Sequence, residues 1–471
     1  MTLLIVVIVF GGMVFLHEFG HFLAARYFKI EVEEFGFGFP PKMLRLWQSK
    51  GSLIINGQNV EIPSNFKLPF DWRENTQKPV KATADMLDNR LVLRSIELVK
   101  AEKPADPSLP IIVDQKGNVV GRGLEPLPAL PRQVSQSPIQ RGAVELNGEL
   151  SEIHPGTEFT LNWLPLGGFV RPRGENDPNV MDGLAAANPW KRLGVLFAGP
   201  LMNLLTAIAV TSVIIAQAGV GIPGKVLIEN VSENSPAQQA GIQANDILVT
   251  VAGKPVSTLE EAKALIRAGI DKPLEMTLER GGKQITITAT PLSSRPAEQG
   301  ALGIGLSYPR RPATAGEIIS GGFVYTGLQA AGILYLPIGL IQGAIAPDDA
   351  RLIGMKGIYD IFGQAVQRDT QSRQQPSTPA APGAPPTTQP TNYILSLIAM
   401  LSVSLAVFNL LPIPALDGGR ILITLPEILF RRRIPYKLEN VINGVAMLLL
   451  IALMIFINAM DFINPINIKL P

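Results

Sequence analysis

The first 27 residues of the chain are an apolar run that carries two histidines and a glutamate. The run Thr2–Tyr27 is long enough to cross a bilayer as a helix, and residues 17–21 within it read His-Glu-Phe-Gly-His. Imidazoles four residues apart share one helix face, so His17 and His21 can ligate one metal ion. Ionisable groups at this depth of a membrane are costly, and we therefore predict a functional site here.

Glu18 completes the H-E-x-x-H pattern, which is typical of zinc metalloproteases. It follows the first predicted ligand directly, and its carboxylate can take a proton from a water molecule at the metal. The chain has only 3 histidines, so a chance match is on the order of one in a thousand for the whole chain. The structural alternative is a pair of histidines hydrogen-bonded within a helix bundle.

Composition supports a membrane protein with sizeable soluble parts. Of the 471 residues 46% are hydrophobic and 17% are charged, and the mean hydropathy is +0.24. A net charge of +2 gives no indication of nucleic-acid binding, and the absence of cysteine excludes disulfides and thiolate zinc sites. The first run lacks a positively charged start and an A-x-A-like cleavage site, so we read it as a retained transmembrane helix rather than a signal peptide.

Four segments are predicted to span the membrane, which gives a polytopic α-helical fold class. Basic residues follow the first span, precede the second and separate the third from the fourth, so these three connections share one side, cytoplasmic or, in a plastid, stromal. A fifth apolar stretch, Phe323–Ile345, is interrupted by Pro337 and is predicted to be interfacial or re-entrant. The predicted segments are TM1 at 1–27, TM2 at 191–220, TM3 at 393–430 and TM4 at 441–463.

The remaining segments alternate between β-rich, α/β and linker character. Residues 28–190 form an inside loop whose ends, Ile30–Phe39 and Glu158–Val170, are predicted to be strands. Between them lies a large insert, about 47–156. Its sequence allows either a small β-rich insertion or a partly ordered loop. The other predictions are an α/β module at 221–292, a membrane-associated helical region at 293–366 and a Pro/Gln-rich linker at 367–392. Within the module, Leu259–Ala268 is predicted to be an amphipathic helix, and a hairpin is predicted about Arg280-Gly281-Gly282.

A catalytic zinc needs a third protein ligand, and Asp417 is the candidate. It lies in the run Asn409–Gly419, at the predicted inside end of the third span, which matches the depth of His17 and His21. The prolines and paired glycines of this run predict an unwound helix end, which is tolerated in a membrane only beside protein or a water-filled cavity. The alternative for Asp417 alone is a turn carboxylate, since Asp-Gly is a common turn pair.

With these residues the chain resembles the site-2 protease family of intramembrane zinc metalloproteases. It is most similar to the bacterial branch with a PDZ domain, the regulator-of-sigma-E protease type. The resemblance covers about two thirds of the chain in family order. It rests on Gly11–His21, Glu34–Gly38, Leu164–Val170, Ala198–Asn203, Asn409–Gly419 and the PDZ-like run that begins at Ser235.

The resemblance implies that the two strands flanking the first loop form a membrane-associated β-hairpin, and it implies roles for particular residues. His17, His21 and Asp417 inherit the zinc ligands, and Glu18 inherits the general base. Asn409, followed by Pro412, would help to hold substrate, and Asn203 would lie near the site; helix–helix hydrogen bonds are the alternative for both. In the PDZ-like module, Gly221, Ile222, Pro223 and Gly224 would bind a peptide carboxylate, unless the module is only a size filter.

The predicted function is that of a Zn²⁺-dependent intramembrane endopeptidase. Its substrates would be single-pass transmembrane proteins, pre-cleaved by a first protease, such as anti-sigma factors or signal-peptide remnants. The protein would lie in a lipid bilayer, either the bacterial inner membrane or a plastid membrane. The alternatives are a catalytically silent PDZ membrane scaffold, which has no need to retain the four predicted site residues, and a transporter, which the lack of an inverted repeat disfavours.

Overall fold

The structure is a computed structural model of the full chain. It describes residues 2–72, 75–99, 111–113, 119–122, 143–175, 177–180, 182–294, 300–345, 352–374 and 392–464. The chain divides into two compact units, each described by itself. One comprises Met1–His17, Leu196–Pro426 and Leu438–Pro471, and the other comprises Glu18–Val195 and Glu427–Lys437. The division falls inside the continuous first helix.

The described helices follow the apolar runs of the sequence. They are α1 (Thr2–Tyr27), α2 (Pro189–Ala218), α3 (Pro236–Gln239), α4 (Leu259–Ala268), α5 (Ala315–Ile341), α6 (Met355–Gln374), α7 (Tyr393–Leu410), α8 (Asp417–Phe430) and α9 (Tyr436–Ile463). By length and composition, five of them can cross a membrane: α1, α2, α5, α7 and α9.

This count differs from the predicted four because α5 qualifies. Pro337 does not interrupt it, and the helix is continuous from Ala315 to Ile341. A proline removes one backbone donor, but an otherwise apolar helix can absorb that loss through its neighbours. Gly321 and Gly322 allow close approach to α2, since a Cβ on Gly322 would lie 2.2 Å from the hydroxyl of Ser212.

The predicted strands at the two ends of the first loop pair with each other. They are β1 (Val32–Gln48) and β9 (Glu158–Pro172), which run antiparallel. Both bend, so that Phe35 lies opposite Val170 on one side and Phe159 on the other. The last part of β9 therefore forms an edge of this small sheet. Phe35 packs against Phe22 of α1, with ring centroids 5.0 Å apart, which fixes the sheet against the end of the helix.

The insert contains a closed barrel, which decides between the two predicted alternatives in favour of β-rich structure. Its strands are ordered β2-β3-β5-β4-β8, with β8 closing onto β2. Leu53 and Leu150, at opposite ends of the insert, are both fully buried in its core. The strands are β2 (Gly51–Ile55), β3 (Gln58–Ile62), β4 (Pro79–Leu87), β5 (Arg90–Leu98) and β8 (Ala143–His154), with a separate pair β6 (Ile111–Val113) and β7 (Val119–Arg122).

The α/β module contains the predicted helix and the predicted hairpin, within a sheet of six strands. Thr258 and Glu261 form a capping box at the start of α4, and Asp246 receives a bidentate hydrogen bond from Arg280 at 2.7 Å. The six-stranded sheet is ordered β15-β14-β12-β11-β16, with β13 beside β12. Its strands are β11 (Val226–Val231), β12 (Ile247–Val251), β13 (Lys254–Pro255), β14 (Leu274–Arg280), β15 (Lys283–Ala289) and β16 (Ile304–Ser307).

The predicted end of this module at residue 292 is too early. β16 pairs antiparallel with β11, for example Ile228 with Leu306, so the sheet extends to Ser307. Two short strands, β10 (Val220–Gly221) and β17 (Arg310–Arg311), then pair and bring the two ends of the module together. A four-residue strand beyond a loop carries too little periodicity to be recognised from sequence.

The predicted linker also begins too early, because α6 continues to Gln374. Asp369 of α6 accepts hydrogen bonds from the backbone nitrogens of Tyr393 and Ile394, at 2.8 and 3.2 Å. Both nitrogens belong to the first turn of α7, where backbone donors lack partners within the helix. The side chain of the N-cap residue Asn392 does not accept a hydrogen bond from them. This tertiary contact holds the polar end of α6 as helix. Residues 375–391 of the predicted linker lie outside the described part of the chain.

Candidate metal centre

His17 lies in α1 and meets Asp417 at the start of α8. The distance from His17 Nε2 to Asp417 Oδ2 is 3.1 Å, although the residues are 400 positions apart in the sequence. The segment between α7 and α8 folds back tightly, because a Cβ on Gly418 would lie only 2.2 Å from the carbonyl oxygen of Leu411. The paired glycines therefore allow the turn that carries Asp417 to His17.

The other nitrogen of His17 faces Asn203 of α2. Nδ1 of His17 lies 3.1 Å from Nδ2 of Asn203, and the buried Oδ1 of the same amide has no hydrogen-bond partner among the described residues. A half-turn of the amide about its last bond would let Oδ1 accept the Nδ1–H proton. That arrangement satisfies the buried oxygen and leaves the Nε2 lone pair of His17 for a metal.

His21 lies one helical turn beyond His17 on the same face of α1. Its Nδ1 lies 2.8 Å from the carbonyl oxygen of Val195 in α2. A carbonyl can only accept, so Nδ1 carries the proton and the lone pair of the neutral ring is on Nε2. Both histidines are thus held by a second polar group, as is usual for metal ligands.

These residues make a donor set that fits zinc. One ligand atom from each of His17, His21 and Asp417 lies within 4.8 Å of the others, and both histidines are buried. Two imidazole nitrogens and a carboxylate oxygen are ligands that zinc favours, and three protein ligands leave one position of a tetrahedron open. Asn203 and the Val195 carbonyl would supply the second layer of contacts.

Glu18 points to the edge of the small sheet. Its Oε2 accepts a hydrogen bond of 3.1 Å from the backbone nitrogen of Val170 in β9. The N–H of Val170 is therefore turned away from β1 and toward Glu18. A carboxylate adjacent to a predicted ligand is here held beside a strand edge.

The remaining predicted site residues lie elsewhere. Asn409 is half-buried in the last turn of α7, eight positions before Asp417. The run from Gly221 to Gly224 follows α2, and the N–H of Ile222 already donates to the carbonyl oxygen of Pro309 at 2.7 Å. Gly224 has a φ of +83°, which suits glycine.

His154, the third histidine of the chain, does not belong to this donor set. It ends β8, pairs with Glu31 and lies 3.0 Å from Nη1 of Arg173. The hydrogen bond to Glu31 raises the pKa of His154. It links the barrel to the chain segment that follows α1.

Sequence reasoning missed the backbone partners of the site. The carbonyl of Val195 and the N–H of Val170 are groups that every residue carries, so no residue type signals them. The sequence gives one indirect indication for each of these two positions. Val195 lies in the same helix as Asn203, and Val170 belongs to the apolar run Leu164–Val170 that the family resemblance already includes.

Comparison with known proteins identifies the family of this chain. The model of peptidase family M50 matches residues 5–65 and 144–453, so the chain belongs to that family, which includes the site-2 proteases. The stretch without a match, 66–143, lies within the barrel insert. The chain is therefore a zinc metalloprotease, and its apolar helices make it a multi-pass protein of the inner membrane.

Individual relatives cover most of the chain. A relative from Clostridium perfringens is 31% identical over 332 residues, which is 70% of this chain and 90% of that protein. The zinc metalloprotease RasP of Oceanobacillus iheyensis is 25% identical and covers 98% of both chains. The RasP protein of Shouchella clausii is also 25% identical, again over 98% of each.

The contact between Asn203 and His17 generates the first prediction. Asn203→Leu should weaken zinc binding by about 10- to 100-fold, because His17 loses the group that fixes its ring orientation and tautomer. Competition with a chromophoric chelator measures the affinity. Thr211→Val is the matched control on the same helix, since Thr211 is also buried and its hydroxyl has no partner among the described residues. Equal affinities of Asn203→Leu and wild type would show that Asn203 does not support the ligand.

Proposed function

We propose that the chain is a zinc endopeptidase that cuts single-pass membrane proteins within the bilayer. The main support for this proposal is that His17, His21 and Asp417 form one donor set, with Glu18 next to His17 in the sequence. His17 and His21 lie inside an apolar helix of membrane-spanning length. A site of this kind in such a helix acts on peptide bonds at membrane depth.

The chemistry divides between the metal and Glu18. Zinc, when bound by the three ligands, supplies a Lewis acid that polarises the scissile carbonyl and lowers the pKa of a water molecule. The Glu18 carboxylate takes the proton of that water as it attacks the carbonyl carbon, and then gives the proton to the leaving amine. Asn203 and the Val195 carbonyl hold the two imidazoles in the tautomer that places the lone pair of each ring on Nε2.

The edge of β9 supports a way of presenting the substrate. A transmembrane helix must unwind before cleavage, because its peptide groups are otherwise bonded within the helix. An unwound segment can add as an extended strand to a sheet edge, which supplies the backbone hydrogen bonds it has lost. The hydrogen bond from Val170 to Glu18 puts this edge beside the general base. Asn409, in the last turn of α7, is proposed to help hold the substrate.

Substitution of the general base tests this function. Glu18→Gln should keep zinc at wild-type occupancy while cleavage of a transmembrane substrate falls by at least about 100-fold, because the amide cannot take a proton. The matched comparison is Glu33→Gln, a carboxylate near the start of β1 that the mechanism does not use. Cleavage by Glu18→Gln at the wild-type rate would reject the mechanism, whereas a zinc-loaded wild-type protein that cleaves no transmembrane substrate would favour the alternative of a silent scaffold.

The α/β module is proposed to be a PDZ-like domain that controls substrate access. The run Ser235–Val249 is closely similar to the core run of bacterial PDZ domains, and the sheet of the module supports the same assignment. It either captures a new C-terminus, through Gly221, Ile222, Pro223 and Gly224, or excludes substrates with bulky outer domains. In both cases the preferred substrates are stubs left by a first protease, of the anti-sigma-factor or signal-peptide-remnant type.

Removing the module should therefore change substrate choice and spare the chemistry. Gly221 pairs with Arg310, so residues 222–309 can be replaced by a short Gly-Ser linker with little displacement of the ends. The deletion variant is expected to cut full-length substrates that the intact protein cuts only after trimming. Glu18→Gln in the deletion background is the control for contaminating proteases. A zinc-loaded deletion variant inactive on both substrate forms would refute the access role.

A further inference from the structure

The loop that delivers Asp417 contains a residue in an unfavourable backbone conformation. Ala415, two positions before Asp417, has a φ of +73°. This left-handed region disfavours residues that have a Cβ, and glycine would be the ordinary choice there. Such a conformation persists only where surrounding contacts hold it.

One of those contacts comes from the last apolar helix. The backbone nitrogen of Ala415 donates a hydrogen bond of 3.1 Å to Oδ1 of Asn443 in α9. Asn443 is half-buried, and it is a polar residue in a helix that is otherwise apolar over most of its length. A side-chain amide is costly in such a helix unless it has a partner, and here the partner is the strained peptide group.

The loop and α9 are not closely packed beside this hydrogen bond. A groove runs between them, with Ile413 and Pro414 on the loop side and Val441, Val445 and Leu449 on the helix side. Since the groove interrupts close packing, the hydrogen bond from Ala415 to Asn443 gives a directional tie that dispersion contacts do not provide.

A displacement at Ala415 would reach the metal ligand directly. A Cβ on Gly419 would lie 2.2 Å from the carbonyl oxygen of Ile413, so the first turn of α8 is closely packed on the loop. Leu416 N also bonds to Ile413 O at 3.2 Å. The loop and the first turn of α8 therefore move together, and Asp417 moves with them.

We propose that Asn443 is a positioning residue for the metal centre: it holds the Ala415 peptide so that Asp417 meets His17. The inference rests on the proposed role of Asp417 as a zinc ligand. It assigns to α9 a part in the site although α9 supplies no ligand. Asn443 acts only through the loop, and it touches neither metal nor substrate.

Zinc affinity of the full-length protein in detergent tests this assignment. Asn443→Leu should bind zinc at least about tenfold more weakly than wild type, the usual effect of removing a group that orients a metal ligand. Asn458→Leu is the matched control, because Asn458 is a half-buried asparagine on the same helix that accepts from Met355 N at 3.0 Å instead. Its zinc affinity should equal that of wild type.

A second-site variant makes the test independent of general damage to α9. Glycine adopts a φ of +73° without strain, so Ala415→Gly should reduce the loss caused by Asn443→Leu in the double variant. Wild-type affinity in Asn443→Leu would overturn the proposal, and so would equal losses in Asn443→Leu and Asn458→Leu. If Asp417→Ala itself binds zinc like wild type, the proposed ligand set fails instead, and the two failures are distinguished.

Discussion

A buried imidazole in an apolar helix needs a defined partner for each ring nitrogen, and this need organises the candidate centre. His17 reaches Asp417 with one nitrogen and Asn203 with the other, and His21 uses Nδ1 for the Val195 carbonyl. These contacts draw on α1, α2 and the start of α8. Because each ring is oriented through one nitrogen, one ligand atom from each of His17, His21 and Asp417 lies within 4.8 Å of the others, which is what a metal site requires.

The elements around α1 then serve distinct purposes. α1 carries both histidines and Glu18, while the paired glycines after Asp417 and the tie from Asn443 shape the loop that brings the carboxylate. The backbone N–H of Val170, in the sheet of β1 and β9, donates a hydrogen bond to Glu18. A substrate strand can add to this edge of the sheet. The barrel and the α/β module carry cores of their own, which is consistent with roles in binding or access rather than in the hydrolytic step.

The local features of the chain were accessible from sequence, and the reasons are physical. The predicted bounds Thr2–Tyr27 match α1, because a long apolar run in a membrane has one stable form. The helix Leu259–Ala268 and the hairpin at Arg280 also match, since a capping box and a Gly-Gly turn are short-range signals. The pairing of Asp417 with His17 followed from matching the depths of two predicted spans.

Features that depend on distant pairing were beyond sequence reasoning. The barrel closes by pairing β2 with β8, roughly a hundred positions apart, and no local pattern encodes that register. α5 was expected to be interrupted because Pro337 usually breaks a helix in water. Asn443 is a single polar residue in a predicted span, and its significance appears only when the strained peptide of Ala415 is found beside it.

The central claim is that Asp417 ligates the same metal ion as His17 and His21, and a substitution in this cysteine-free chain tests it directly. Asp417→Cys would add the only thiolate in the protein. X-ray absorption at the zinc edge of this variant should then show one sulfur neighbour at about 2.3 Å beside nitrogen neighbours at about 2.0 Å. A zinc-loaded Asp417→Cys protein whose spectrum contains only nitrogen and oxygen neighbours would contradict the account.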